Sequence, residues 1–482
     1  MSFIEGFDKA TNSKLTDNGA LAYNTTGSKL VDFFATVGCM RKYSEDKIIA
    51  RYMAAREENK ELADKIVLYA RDIKNGLGER RTSRILLKKL AELEPEKVKR
   101  NLSTFVELGR WDDLYALRST KVEDAMWEYL RKQFYRDLTD MKLNNNVSLL
   151  GKWLKSINTS SAESREIARI TCQKWGISKA EYRKKLSQLR KYIDVVEKKM
   201  CDNQWEEIKY SSVPSYAMLR YQNCFRRNSS NFLKYKEDLK NGKEKINSSV
   251  LYPYDLVEQL TKAICTYENP DLTIIEEQWK ALPNFFPEDK EYNIICCADV
   301  SGSMNGRPMA ASIGLALYCA ERNKGAYNGC YLTFTDKPTF LKIDENDTLK
   351  QKIINAWKHV GYNTNFNGML KAIFEIAKKE KEVPDALLII SDEEIDMFTS
   401  TPSRVISILD KWEEKFKEEN LNMPKIIFWN AANNGTFLEK ISNKNVGYIS
   451  GVSATTFQNI DTLISKDAYE AMVQILNNYN YI

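Results

Sequence analysis

Asn293-Ile294-Ile295-Cys296-Cys297-Ala298-Asp299-Val300-Ser301-Gly302-Ser303 decides the fold of the second half of the chain. Ile294 to Ala298 are apolar at every position, which suits a strand covered on both faces of a parallel sheet better than the alternation of a half-exposed strand. Cys330-Tyr331-Leu332-Thr333-Phe334, Ala386-Leu387-Leu388-Ile389-Ile390 and Lys425-Ile426-Ile427-Phe428-Trp429 share that length and texture. Helical patterns at about 307 to 322, 366 to 380 and 402 to 418 lie between them. Strands and helices in alternation predict a doubly wound, Rossmann-like α/β domain over residues 289–482.

In such sheets ligands bind at the carboxyl ends of the strands, near the point where strand order reverses. The first strand runs out into Asp299, Ser301 and Ser303, alternate positions of one tight loop from which a carboxylate and two hydroxyls can turn to a single point. Ser391-Asp392 brings a second carboxylate to the same edge. Gly361-Tyr362-Asn363-Thr364-Asn365-Phe366 offers the Thr364 hydroxyl, flanked by Asn363 and Asn365, on a loop that enters a helix. Oxygen donors without nitrogen or sulfur describe a site for a hard divalent cation, Mg²⁺ first because it takes few protein ligands and keeps its waters. Asp299, Ser301, Ser303, Thr364 and Asp392 are therefore the expected metal ligands.

Little else in the chain suggests catalysis. The single histidine, His359, reads as a residue near a helix end, and it excludes a His-rich metal cage. No G-x-x-x-x-G-K-[ST] string occurs, and no general base stands beside the metal ligands, so a noncatalytic protein is expected. Nine cysteines, odd in number and never spaced C-x-x-C, point to a reducing compartment, with Cys296 and Cys297 as core residues of the first strand. The start, Met1 to Lys9, lacks the apolar core of a signal peptide, and no window holds the roughly 20 apolar residues a membrane helix needs. A cytoplasmic protein with no membrane partner is the expectation.

At 482 residues, 43% hydrophobic and 29% charged, the chain has room for several globular domains, and its 20 Gly and 11 Pro leave space for long helices. Residues 1–30, rich in Asn, Thr, Gly and Ser, read as an N-terminal arm. Over 31–288 apolar stripes at helical spacing follow one another, such as Leu62, Ile66, Val67 and Ala70, then Ile85, Leu86, Leu87 and Leu90. Asn75-Gly76-Leu77-Gly78 is the turn between those two stripes. Short helices in succession without strands predict an α-solenoid of the HEAT type.

Charge is concentrated in one segment of this helical half. Residues 141–240 carry 21 Lys and Arg against 10 Asp and Glu, whereas 291–482 carry 20 against 24. Arg183, Lys184, Lys185, Arg190, Lys191, Arg220, Arg226 and Arg227 are the candidate nucleic-acid contacts, with Tyr182, Tyr192, Trp205, Tyr210, Tyr216, Tyr221 and Phe225 interleaved. Cations neutralise phosphates and exposed rings stack on unpaired bases, the combination that single-stranded RNA binding needs. Individually the rings read as core residues of the repeats. Two function classes remain: a noncatalytic RNA-binding protein, and a protein-interaction scaffold whose metal captures an acidic side chain of a partner.

The order Asp299-x-Ser301-x-Ser303, Thr364, Asp392 resembles the metal-ion-dependent adhesion site of von Willebrand factor A domains. Arg71 to Arg80, Gly109-Arg110-Trp111-Asp112-Asp113-Leu114, Lys152-Trp153-Leu154, Ser391 to Asp396 and Phe428-Trp429-Asn430 are similar to a family that joins a TROVE-like helical domain to an A domain, as is the N-terminal Thr16 to Ala20. More remotely the chain resembles the TROVE proteins of the Ro autoantigen type. That resemblance implies helical repeats closed into a ring by the A domain, and small noncoding RNA as the partner. One departure stands out: most A domains have Gly after the second metal-site Asp, and here Glu393 follows Asp392.

Overall fold

The computed structural model describes residues 13–15, 21–266, 271–361, 364–393, 408–432 and 435–479. Most of the predicted arm, Pro270, Tyr362, Asn363 and residues 394–407, where the third predicted helix begins, lie outside the described residues.

The apolar runs form strands β3 (Ile294–Asp299), β4 (Cys330–Phe334), β6 (Ala386–Ser391) and β7 (Lys425–Asn430). Two further strands extend them: β5 (Thr339–Lys342) and β8 (Val446–Ser450). A separate antiparallel pair joins β1 (Ser13–Leu15) to β2 (Leu21–Tyr23). The main sheet has the order β5-β4-β3-β6-β7-β8 and is parallel except for β5, which returns antiparallel to β4. The chain is thus α plus α/β. From β3 it winds outward on one side and then jumps to β6 on the other, so the reversal of direction falls between β3 and β6. That is where a doubly wound sheet opens a crevice at its carboxyl edge.

Contacts divide the chain into two compact units. One takes the described residues of Met1–Ala70, Lys74–Glu79 and Ser248–Asn480, and the other those of Arg71–Ile73 and Arg80–Asn247. In the first unit, helices from both ends of the helical half are built onto the sheet. Helix Arg307–Arg322 crosses helix Pro253–Thr266 at Gly314, where a Cβ would stand 3.1 Å from the Pro253 carbonyl carbon. The Gly38 amide donates to Ser450 Oγ at 3.0 Å, and that hydroxyl donates to the Phe34 carbonyl at 2.9 Å. A Cβ on Gly38 would approach the Gly451 amide nitrogen to 2.6 Å, so only glycine allows these backbones to meet.

The second unit is helical among its described residues. Its joints show why the sequence breaks where it does. Helix Ala162–Trp175 ends at Gly176 in the left-handed conformation, φ 65°, and the next helix, Lys179–Tyr192, opens on Ser178, whose hydroxyl accepts the Glu181 amide. Trp127, Phe134, Trp175 and Tyr182 fill one core cluster, and Tyr210, Phe225, Phe232 and Tyr235 fill another. Among the described residues no helix is long and apolar enough to cross a membrane, and all nine cysteines are free.

Candidate functional site

Three loops meet at the carboxyl edge between β3 and β6. Asp299 closes β3 fully buried; its Oδ1 accepts the Ser301 amide at 2.9 Å and its Oδ2 accepts the Ser391 hydroxyl at 2.5 Å. Ser301 Oγ and Ser303 Oγ lie 3.1 Å apart, the first buried and the second exposed. Ser301 also bridges to Gly361, which carries the Thr364 loop to this edge, and a Cβ on Gly361 would press to 2.9 Å from Thr335 Cβ. Thr364 is buried at the entrance to helix Phe366–Glu380. Asn365 is the N-cap of that helix: its Oδ1 accepts the Gly368 amide at 2.8 Å and its amide nitrogen donates to the Asp336 carbonyl. Its side chain is therefore turned to the helix and away from the role of loop ligand, while Asn363 lies outside the described residues.

Asp392 is buried directly after β6. Burial, and next the negative charge of Asp392, push the Asp299 carboxyl up to about 7, against the hydrogen bonds from Ser301 and Ser391. Two buried carboxylates that repel each other, with serine and threonine oxygens around them, fit a divalent cation, whose charge would offset both. No group of three or more His, Cys, Asp or Glu side chains forms a metal cluster among the described residues, so the donor set rests on these two carboxylates and the hydroxyls.

Glu393 occupies the turn with φ 65°, a left-handed conformation that favours glycine, and its amide donates to Ser391 Oγ at 3.0 Å. Its carboxylate is buried and acts on Tyr43 and Tyr448, raising both phenols after the larger effect of their own burial. Ser391 is the site residue that spacing alone passed over. The signal was present: one hydroxyl at the end of a strand otherwise apolar at every position.

A model of a domain of unknown function (DUF7788) matches residues 293–470, which contain all five candidate ligands. A second domain of unknown function (DUF2828) matches residues 16–145 and 154–285, together more than half of the chain. The chain belongs to the DUF2828 family. It is also similar to "Uncharacterized protein L728" of Acanthamoeba polyphaga mimivirus, 25% identical over 514 residues that span 97% of this chain and 88% of that protein.

The DUF2828 match contains the basic segment as well. Arg183, Lys184 and Lys191 stand exposed on helix Lys179–Tyr192, and Arg220, Arg226 and Arg227 on helix Ser215–Asn228. Lys185 is half-buried, pairing with Glu181 at 2.6 Å and lying over the Tyr135 ring. Arg190 differs from all of these. Its guanidinium donates to the Gly151 and Leu154 carbonyls at 3.0 and 2.7 Å and to Ser156 Oγ at 2.7 Å, so it clamps a loop. Of the interleaved rings Tyr182, Tyr210 and Phe225 are core, while Tyr192 and Tyr216 are exposed.

Proposed function

We propose that the chain is a noncatalytic, cytoplasmic RNA-binding protein. In this reading a TROVE-like part built of HEAT-type repeats contacts small or single-stranded RNA, and a von Willebrand A-type domain carries Mg²⁺ or another hard divalent cation. The observation that carries the metal assignment is Asp299, buried and hydrogen-bonded between two hydroxyl-bearing loops with the charge of Asp392 beside it. The strand order, with the carboxyl-edge crevice between β3 and β6, supports the A-type reading. Asp299 and Asp392 would hold the cation with Ser301, Ser303 and Thr364, directly or through water; bound there, it would offer an open coordination position to an acidic group.

Exposed Arg183, Lys184, Lys191, Arg220, Arg226 and Arg227 support the RNA half of the reading. Phosphate contacts release counterions, so binding of single-stranded RNA through about six of them should weaken on the order of a thousandfold between 50 and 200 mM salt. A parent protein that retains no RNA at low salt sinks this half. Asp299→Ala should abolish Mn²⁺ binding in a calorimetric titration and leave RNA affinity unchanged; unaltered Mn²⁺ affinity rejects the ligand set.

A second reading, a scaffold that captures a partner's carboxylate at the cation, is favoured by the exposure of Ser303 and Gly302 at the mouth of the site. Salt-insensitive association with a glutamate-bearing peptide, lost on chelation and in the absence of any RNA affinity, would select it.

A further inference from the structure

Two segments of the helical unit, Arg80 to Arg84 and Gly109 to Asp113, come together around two buried carboxylates. Asp113 accepts Arg71 Nε and Arg84 Nε, each at 2.7 Å, and the Arg110 amide at 2.8 Å. Asp112 takes the Arg110 guanidinium on both oxygens, at 2.9 and 2.8 Å, and meets Arg84 at 3.0 Å and Lys155 at 3.7 Å. Gly109 permits the approach, since a Cβ there would lie 2.6 Å from Asp113 Oδ2 and 2.8 Å from Arg71 Nε. Arg71, Arg84, Arg110 and Lys155 already outnumber the two carboxylates. Arg80 adds another cation beside them, its guanidinium held below the usual range by partial burial and then by repulsion from Arg110 and Arg84.

Helix Arg81–Leu93 starts at this excess of positive charge. It has no side-chain cap and no acidic residue in its first turn, so the positive end of its dipole is uncompensated. Within that turn Thr82 and Ser83 are buried, and among the described residues their hydroxyls have no hydrogen-bond partner. Helical Cα–Cβ bonds tilt toward the N-terminus, so both side chains lean to the uncapped end. Surplus guanidinium groups, an open helix start and unused hydroxyl donors share one need, an anion with several acceptor oxygens.

We propose that the start of helix Arg81–Leu93, with Arg80, Arg84 and Arg110, is a phosphate-binding site. The cations remain reachable: the Arg84, Arg110 and Lys155 side chains are 31%, 21% and 28% exposed, and Arg80 is partly exposed. Guanidinium forks match a tetrahedral phosphate better than point charges do. The site goes beyond the RNA reading, because a free phosphate, a phosphate monoester and a nucleic-acid phosphodiester all present the same oxygens.

Calorimetric titration of the full chain tests it with three probes at fixed ionic strength: inorganic phosphate, adenosine monophosphate and an oligouridylate with a 5′-hydroxyl. Arg80→Glu should weaken at least one probe about tenfold or more, and Arg80→Lys, which keeps the charge but not the fork, should recover only part of that loss. Loss confined to phosphate and the monophosphate assigns a small phosphorylated ligand; loss of the oligonucleotide, with displacement by phosphate, assigns a phosphodiester. If Arg80→Glu changes the affinity of none of the three, the proposal is overturned. RNA binding that survives that outcome leaves the proposed function standing, whereas phosphate binding without RNA binding keeps this site and removes the RNA reading.

Discussion

The Ser391 hydroxyl donates at 2.5 Å to Asp299 Oδ2 and accepts the Glu393 amide at 3.0 Å, tying the end of β6 to the end of its neighbour β3. One side chain thus orients the first carboxylate of the candidate site and shapes the turn that presents the second. Ser391→Ala should destabilise the chelator-treated protein by about 2 kcal/mol, the worth of a buried hydrogen bond to a charged group, as read from urea unfolding. It should also weaken Mn²⁺ binding without abolishing it. A variant as stable as the parent removes Ser391 from this role.

Arg190 and Arg183 stand on one helix and should behave in opposite ways. Arg190→Ala leaves the Gly151 and Leu154 carbonyls and Ser156 without their donor, and should cost about 2 kcal/mol in stability. Arg183→Glu, at an exposed position, should stay within about 0.5 kcal/mol of the parent while lowering affinity for single-stranded RNA and flattening its salt dependence. Equal stability of the two variants in chemical denaturation contradicts the clamp.

Asp255, near the start of helix Pro253–Thr266, provides a pH prediction. Burial pushes its carboxyl up from 3.8 to about 6, against the Tyr252 amide that it accepts at 3.0 Å and the charge of Arg307. A raised folded-state value means that the native protein binds the proton more tightly than the unfolded chain does. The associated stability is fully present below about pH 4 and is lost as pH rises through about 6. Asp255→Asn should remove that slope, so the stability difference between variant and parent should shift in favour of the variant from pH 4 to pH 7. A difference that is flat across this window refutes the assignment.

Two left-handed residues offer a paired test of backbone strain. Gly176 has φ 65° and open space where a side-chain methyl would stand, so Gly176→Ala should cost about 1 kcal/mol from the backbone alone. Lys381, exposed at φ 56° after helix Phe366–Glu380, holds the same conformation with a side chain, so Lys381→Gly should stabilise by about the same amount. Thermal unfolding of both variants checks the two signs.

The central strands were legible in the sequence because each is a nearly continuous apolar run, and Asp299 and Asp392 were legible because they stand at or directly after the ends of two of them. β8 was harder to see. Val446-Gly447-Tyr448-Ile449-Ser450 carries a glycine that reads as a turn, yet Gly447 is where the chain passes Ile427, whose side chain a Cβ would meet at 3.4 Å. β5 has three partly buried residues and an exposed one, and lacks the texture of its neighbours. In the basic segment, counting charge could not separate Arg190 from Arg183. Helical geometry could have, because Arg190 lies four residues after Leu186 and eight after Tyr182, on the side of the helix that is buried. The seat of helix Lys29–Phe34 and Gly38 at the end of β8, 412 positions further on for Gly38, leaves no local trace in the sequence.

The hydrogen bond from Gly38 to Ser450 spans 412 positions, and this has a consequence for the order of events during synthesis. The unit formed by Arg80–Asn247 is continuous apart from three residues and can assemble as soon as it leaves the ribosome. The unit that surrounds it in sequence must wait, with its early helices made but their seat at the end of β8 still untranslated. Until Ser450 emerges, helix Lys29–Phe34 has no β8 to pack on, so its apolar face stays without its final cover until nearly the whole chain has been made.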